Sequence, residues 1–579
     1  MIDFEPPAEE GASKIMSLAA AVETFVQPGD VVHLAYSDAR PNAAIQQLVR
    51  RFAGTDPHLT VVSAGLVNIQ HALVELGVVD TVIASFAGEN YPVARPNPAL
   101  GRAVAAGDVT IEHWSLWALI ARLTAGALGV SHFPVRSMRD STMGAEAAVR
   151  GELVDLPGSD PPTSLVSALR PDVVLLHGAA ADPNGNVILA APYGEGQVGA
   201  LAARRGVIAT VERIISTAEL RALNSLTRIP GHAVRAVCLA PYGAHPYGFN
   251  NPGVPEVASY TEDDRFMADV LAASKTPAAF REFIGDWLTG TGSHDGYLRK
   301  LGDQRLKALL RSEGRTSALR VPVPEQPAPA SPLEDQVVVT ARRIEAAVRR
   351  AGHQAVLAGV GLANLAAWLG VRSLRDGGVD IELMAEIGLF GYSPLPGEPF
   401  IFAGQNVPTN KLLTDVMGVL GTYVSGPGTR SLGVVGAGQI ARTGAVNSTY
   451  GDDGGFLVGS GGANDVLSGA DEVIVIVAHR RGRLVSHVPY VTSPGSRVRT
   501  IVTDLCVLER AEPAAEFVVT ALLPAAGEDI ERAVARIRDA TGWAVDVSTD
   551  LVREPPATPV ELAVLNAFDP KGTFIRDRR

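Results

Sequence analysis

Cysteine is scarce in this chain, with only Cys238 and Cys506 among 579 residues. They lie far apart in apolar runs, which excludes a disulfide framework and paired-cysteine zinc or redox motifs and predicts two core thiols. Positive charge is also in deficit. The formal net charge is −12, and phosphate neutralisation needs a basic surface, so no nucleic-acid partner is expected. The short clusters Arg204-Arg205 and Arg342-Arg343 read as solvated charges on helix faces or ends. Long apolar runs are missing too. The most membrane-like stretch, Ala355 to Val371, contains Gly359, Gly361 and Asn364 and falls short of about 20 residues, so it predicts a buried strand, turn and helix and no membrane association. Met1 to Glu10 lacks the basic and apolar regions of a signal peptide, which predicts a cytoplasmic protein. There is no G-x-S-x-G elbow and no Walker A sequence, which removes the commonest hydrolase and NTPase chemistries. His33, His113, His132, His177, His232 and His245 show no metal-ligand spacing, and Asp452-Asp453-Gly454-Gly455 lacks the alternating oxygen ligands of a calcium loop, so no metal is implied.

What is present describes a compact protein rich in tight turns: 46% hydrophobic residues, 19% charged residues and 59 glycines. The length exceeds what one core organises and implies several structural units, at roughly 150 residues per domain. Helix-spaced apolar residues from Lys14 to Gln27 lead through Pro28-Gly29-Asp30 into a strand at Val31 to Ala35, a helix at Ala43 to Phe52 and a strand at Leu59 to Ser63, a β-α-β opening. Further strands (80–85, 109–112, 173–177, 187–190, 207–211, 234–240) alternate with helical stretches, which predicts an α/β fold with a mainly parallel or mixed sheet. The pattern stops between Arg320 and Asp335, where Pro322, Pro324, Pro327, Pro329 and Pro332 predict a stiff exposed linker. After it a helix (336–351), a strand (354–358), a Gly-Val-Gly turn and a helix (362–369) echo the opening. The expected organisation is a first domain over 1–315, a linker over 316–335, and a related second domain over 336–579, with a ligand cleft between the two.

One stretch delivers a carboxylate to a special place. Apolar residues at 379, 381, 383 and 385 alternate with Asp380, Glu382 and Met384, which predicts a half-buried strand ended by Gly388. Glu386 then sits near the carboxyl end of a strand, where open α/β sheets bind ligands, and is a candidate nucleophile or base; a solvated strand-end glutamate is the alternative. Leu432 to Ala441 matches a GxGxxA dinucleotide fingerprint, but Gly444, Asn447 and Gly451 leave too little chain for the helix that such a site needs, so no NAD is expected. Gly459-Ser460-Gly461-Gly462-Ala463-Asn464-Asp465 offers backbone N–H groups to an oxyanion or phosphate, with Asn464 or Asp465 available to cap a short helix; it reads equally as a plain Gly-rich turn.

Several spaced motifs, in order, resemble those of the family I CoA-transferases. The first half is similar to the family's alpha chain in Pro28-Gly29-Asp30, Phe133-Pro134-Val135-Arg136-Ser137, Ala181-Asp182-Pro183-Asn184-Gly185-Asn186 and Pro241-Tyr242-Gly243-Ala244-His245-Pro246. The last block resembles the branch containing glutaconate CoA-transferase and hydrolases that open steroid-derived rings. The second half is similar to the beta chain in Glu386-Ile387-Gly388, Gly438-Gln439-Ile440 with Asn447-Ser448-Thr449, Gly461-Gly462-Ala463 and Thr503-Asp504-Leu505. The resemblance implies two related open-sheet domains of the CoA-transferase (NagB/RpiA-like) fold, fused in one chain and compatible with a homodimer. It also implies transfer of coenzyme A from an acyl-CoA to a carboxylic acid through a covalent glutamyl-CoA thioester on Glu386. Gln439 and the N–H groups of Gly461 and Gly462 become candidates to stabilise the oxyanion, with Gly438 in the same motif, and the turn Gly359 to Gly361 a candidate to approach the CoA phosphates. The alternative on the same scaffold is an acyl-CoA or cyclic β-diketone hydrolase, in which Glu112, the nearest candidate for an important glutamate of the alpha chain, or Glu386 acts as base. Glu112 reads equally as an ordinary strand-end glutamate. Ile387 replaces the small residue common beside the family's glutamate, which implies a more apolar pocket there.

Overall fold

The computed structural model of the protein describes residues 4, 6–91, 93–311, 321–325, 329–524 and 529–575. Two open sheets organise them. In the first, Val31–Leu34 lies parallel between Leu59–Val67 and Val173–Ala181, with Val32 in register with both Val61 and Val173. Val79–Gly88 and Thr110–His113 extend the parallel sheet on one side, and Gly206–Ile214 and Val234–Leu239 on the other. Val, Ile and Leu fill these strands because helices cover both faces, so the apolar runs are continuous rather than alternating. The strands expected from the sequence are present, several of them longer: Leu59–Val67 and Val173–Ala181 run well past the predicted 59–63 and 173–177.

The second sheet is built around Ala355–Ala358, parallel to Glu382–Ala385 on one side and to Ser431–Gly436 on the other, followed by Glu472–Ile476 and Val498–Val502. Beyond Val498–Val502 the sheet turns antiparallel through Cys506–Glu509 and Val518–Leu522. The stretch 355–371 forms the predicted strand, turn and helix, the helix running further, over Leu362–Asp376. Both cysteines are buried, and no described helix is long and apolar enough to cross a membrane.

The expected linker lies outside the described residues at 316–320 and 326–328. Residues 321–325 are exposed, but Pro332 already opens the helix Pro332–Ala351, ahead of the expected start at Gln336. Proline lacks the N–H that a first helical turn leaves unpaired, and Ser331 and Glu334 cap reciprocally, with Ser331 N donating to Glu334 Oε2 at 2.7 Å and Glu334 N to Ser331 Oγ at 3.3 Å. Both arginine clusters also differ from expectation, since neither is a set of free solvated charges. Arg205 pairs with Asp30, and Arg342 and Arg343 pair with Glu561 at 2.8 Å and Glu554 at 2.6 Å, tying their helix to the C-terminal segment.

The two halves share a core. Trp117 packs on the backbone of Gly421, where a Cβ would come within 3.0 Å of the indole, and Leu119, Leu420 and Val466 belong to one buried cluster.

Candidate active site at the seam of the two sheets

Parallel strands aim their carboxyl ends at one edge of a sheet, and here both sheets bring that edge to the seam. A cavity of about 580 Å³ is lined by Ala358 and Gly359, Val435 and Gly436, Ile476 and Val477, and Glu386, all at or just beyond the carboxyl ends of neighbouring strands of the second sheet. The first sheet contributes Gly65, Ser85 and Phe86 from its strands and Tyr36 and Arg40 from the loop after Val31–Leu34. The wall is continuous because the backbones pair across the seam: Ala87 N donates to Val458 O at 2.9 Å, Gly461 N to Ser85 O at 2.9 Å, and Leu116 N to Gly461 O at 3.0 Å.

Glu386 follows immediately after the strand Glu382–Ala385. The strand is shorter than the alternating pattern predicts, and Met384 is fully buried as well as Leu383, because an interior strand is covered on both faces. The turn Glu386–Gly388 reverses the chain into Leu389–Phe390, which pairs back through Ala385 and Leu389. Gly388 holds φ at +123°, and a Cβ there would lie 2.2 Å from Thr414 O; no other residue fits. Ile387 is buried and lines the cavity, giving the glutamate an apolar neighbour.

Glu386 lines the cavity and is half-buried. Burial pushes its pKa up to about 7, repulsion by Asp465 adds to the rise, and a hydrogen bond from the Gly462 N–H opposes it. Gly462 is where a side chain cannot be: a Cβ would fall 2.1 Å from Glu386 Oε2. Of the two glycines considered for backbone donation, only Gly462 turns its N–H to the glutamate, since that of Gly461 is committed to Ser85 O.

Asn464 and Asp465 lie inside the helix Ala463–Gly469 and do not cap it. They fasten the halves instead. Asp465 accepts from Ser115 Oγ at 2.7 Å and Trp117 N at 3.0 Å, at the start of the helix Leu116–Leu128, and Asn464 Oδ1 accepts from Met138 N at 2.8 Å. Burial pushes Asp465 up to about 6 despite these donors.

The other expected site residues divide. Gly359, Gly361, Gly438, Gly461 and Gly462 line the cavity with Glu386. Gly359 spends its N–H on Val434 O at 2.8 Å, and a Cβ on it would meet that oxygen at 2.7 Å, so it serves close packing rather than donation. Gly361, with φ +77°, starts the helix Leu362–Asp376, whose first turn faces the cavity without a side-chain cap. Gln439 is a correction: it does not line the cavity, and its amide donates to Asp452 Oδ1 at 2.9 Å and Gly482 O at 3.1 Å while accepting from Asn447 at 2.8 Å. It has no side-chain donor left for an oxyanion. The chain around it runs from the strand Ser431–Gly436 into the strand Gln439–Ala441, so the glycine pattern there does not open a helix. Glu112 is likewise outside the cavity lining. It stands on the edge strand Thr110–His113, 3.9 Å from Arg150, with a pKa raised by burial and by Glu152.

Sequence reasoning missed Asp465 in its tying role, Tyr36, Arg40 and Glu195, all at the seam. Glu195 lines the cavity, accepts from Tyr36 N at 3.0 Å and lies 3.6 Å from His33. No local pattern marks them, because their neighbours come from distant strands.

Two open, largely parallel sheets with a common cleft at their strand ends define a two-domain α/β protein with a cavity between its halves. The Coenzyme A transferase family matches residues 15–240. The A-type chain of glutaconate CoA-transferase from Acidaminococcus fermentans is 31% identical over 315 residues, covering 51% of this chain and 93% of that protein. The B-type chain of 3-oxoadipate CoA-transferase from Pseudomonas knackmussii is 28% identical over 244 residues, covering 39% of this chain and 90% of that protein. An acyl-CoA transferase of E. coli O157:H7, solved as a thioester complex with CoA, shares the fold over 97% of this chain and 98% of its own, with a TM-score of 0.66 and 14% identity. The chain belongs to the family I CoA-transferases, with counterparts of the A-type and B-type chains joined in one polypeptide, and is an enzyme of CoA transfer.

Proposed function

We propose that the protein transfers CoA between an acyl-CoA and a carboxylic acid through a covalent thioester on Glu386, with residues 1–315 and 336–579 acting as the two halves of one site. The observation that carries this reading is the Glu386 carboxylate at the cavity wall, with the Gly462 N–H on it and its pKa raised to about 7. A partly desolvated carboxylate is a usable nucleophile, because less hydration has to be stripped before it attacks.

The steps balance without an external proton. An oxygen of Glu386 adds to the thioester carbonyl; the C–S bond breaks, CoA leaves as a thiolate, and an acyl-glutamyl anhydride remains. The thiolate adds to the glutamyl carbonyl, the anhydride C–O bond breaks, and the first acid departs as a carboxylate. The acceptor carboxylate then reverses the sequence. Addition to the glutamyl carbonyl develops negative charge on the Glu386 oxygen, and the Gly462 N–H that faces this carboxylate is placed to share it. The first turn of Leu362–Asp376 has no side-chain cap among the described residues and turns the positive end of the helix to the cavity, which suits the CoA phosphates.

Incubation with an acyl-CoA, reduction with borohydride and peptide mass spectrometry test the reading. Modification at Glu386 is the expected result. Steady hydrolysis of the CoA ester in water, with no modified peptide, would sink it in favour of the hydrolase.

A further inference from the structure

Addition to an acyl carbonyl puts negative charge on the acyl oxygen, and the Gly462 N–H is engaged elsewhere, on the Glu386 carboxylate. The N–H groups of Gly461 and Gly359 are bound to Ser85 O and Val434 O. Of the serine hydroxyls that line the cavity, Ser85 donates to Ala64 O and Ser448 to Gly459 O, while Ser460 Oγ is held by the Asn464 N–H, from which it accepts at 3.1 Å. The Tyr36 hydroxyl is different. Tyr36 lines the cavity with Glu386, keeps 9% of its surface open, and makes no hydrogen bond through its side chain among the described residues.

One corner of the first half fixes Tyr36 relative to Glu386. Tyr36 N donates to Glu195 Oε1 at 3.0 Å, Glu195 N donates back to Tyr36 O at 3.0 Å, and Gly194 N donates to Ile387 O at 3.3 Å. The loop carrying the phenol is thus bonded, through two adjacent residues, to the turn carrying the carboxylate. Gly194 holds φ at +52°, and a Cβ on it would stand 2.5 Å from Tyr36 O, so this corner requires glycine. The Arg40 guanidinium covers the ring at 4.3 Å from its centroid, and a cation on the face of a phenol draws electron density from its oxygen and strengthens O–H donation. Burial pushes the pKa of the hydroxyl up; Arg40 opposes that shift, and Asp38, Glu195 and Glu386 add to it, so the proton stays on oxygen.

We propose that Tyr36 is a catalytic residue whose hydroxyl donates to the acyl oxygen as Glu386 adds to the thioester. The proposal rests on the Glu386 reading and divides the labour of that reaction. In the first addition a glutamate oxygen bonds to the acyl carbon, the carbonyl π pair moves onto the acyl oxygen, and the Tyr36 O–H shares that charge without giving up its proton. Expulsion of CoA thiolate restores the carbonyl. The last addition, of thiolate to the acyl carbon of the acceptor's anhydride, passes through the same oxyanion. Tyr36 therefore serves the two acyl-carbon steps, and the Gly462 N–H the two glutamyl-carbon steps.

Tyr36→Phe deletes one oxygen and keeps the ring under Arg40. With acetyl-CoA as the probe, rapid quenching, borohydride reduction and peptide mass spectrometry read the rate at which Glu386 is modified. That rate is expected to fall about a hundredfold in Tyr36→Phe, as when one oxyanion donor is removed, with the half-saturating concentration of acetyl-CoA changed by less than about threefold. An unchanged rate in the folded variant overturns the proposal, and so does a loss carried entirely by weaker saturation. If Tyr36→Phe fails to fold, the wild-type protein crystallised with the acetyl-CoA analogue that has CH2 in place of the thioester sulfur decides. Tyr36 Oη is expected about 2.7 Å from the ketone oxygen, and a hydroxyl pointing elsewhere overturns the assignment. Wild-type hydrolysis of acetyl-CoA with no modified peptide defeats the Glu386 reading beneath it, whereas a Glu386 adduct that forms as fast in Tyr36→Phe as in wild type defeats the Tyr36 assignment alone.

Discussion

Glu386 and Glu112 are both glutamates at strand ends, both have raised pKa values, and they differ in what surrounds them. Glu112 stands on an edge strand with Arg150 at 3.9 Å and Glu152 close by, within a small network of ordinary charges. Glu386 has no cation among the causes that shift it: its neighbours are a backbone N–H, a buried aspartate and the cavity. Burial alone therefore does not mark a nucleophile. A carboxylate becomes one where the fold withholds a counter-ion and supplies a fixed dipole beside an open volume, and of these two sites only the seam does this.

Exchanging the two glutamates for inert residues tests the contrast most directly. Glu386→Ala is expected to lower the rate of CoA transfer by about a thousandfold or more, because it removes the group proposed to form the covalent bond, as read by steady-state transfer kinetics. Gly462→Ala should cost on the order of a hundredfold, since the new Cβ would occupy the place of Glu386 Oε2 and displace the reacting atom; crystal structures of the variant would show the carboxylate moved.

The pH dependence gives a finer probe. As the proposed nucleophile, Glu386 must be ionised, so kcat/KM for transfer should climb about tenfold per pH unit below its pKa of about 7 and level off above it. Asp465→Asn removes a repelling charge and should move that inflection to lower pH. Stability has the opposite trend. A carboxyl whose folded pKa is raised holds its proton in the folded state while the unfolded chain has already lost it. The folded protein is therefore penalised increasingly from about pH 4.5 to about 7, and fully above that. Glu386→Gln should then stabilise the protein by about 1–3 kcal/mol at pH 8 and by almost nothing below about pH 4.5, read by denaturant titration at both pH values. The smallest effect expected is that of Glu112→Gln, within about threefold of wild type in transfer rate. A large loss there would reverse the contrast and favour water chemistry at the first sheet.

The legible part of this molecule is whatever repeats locally. The β-α-β opening, the strand–turn–helix at 355–371 and the strand feeding Glu386 all follow from periodicity and glycine punctuation over short windows. Pro332 misleads for a physical reason: the same residue stiffens linkers and starts helices, and the Ser331/Glu334 pair is the local signal that decides between them. Gln439 shows the limit for single motifs, since its position beside Gly438 says nothing of Asp452 and Gly482, which absorb its amide. Arg40, Tyr36 and the tying role of Asp465 are not legible, because each acquires meaning from contacts with residues far away in the chain, and a distant partner leaves no periodic trace.

The backbone pairing of Gly461 with Ser85 and Leu116 has a consequence for assembly. Glu386 comes from one half and part of its cavity from the other, so on the proposed reading a chain with only one half folded would offer acyl-CoA an unshielded carboxylate and little to keep water from the anhydride. Joining the halves sets their stoichiometry at one to one and holds them at an effective concentration on the order of millimolar, whatever the abundance of the protein. On the proposed mechanism, fusion would work as quality control, since each chain that completes folding carries both halves of its own enclosure.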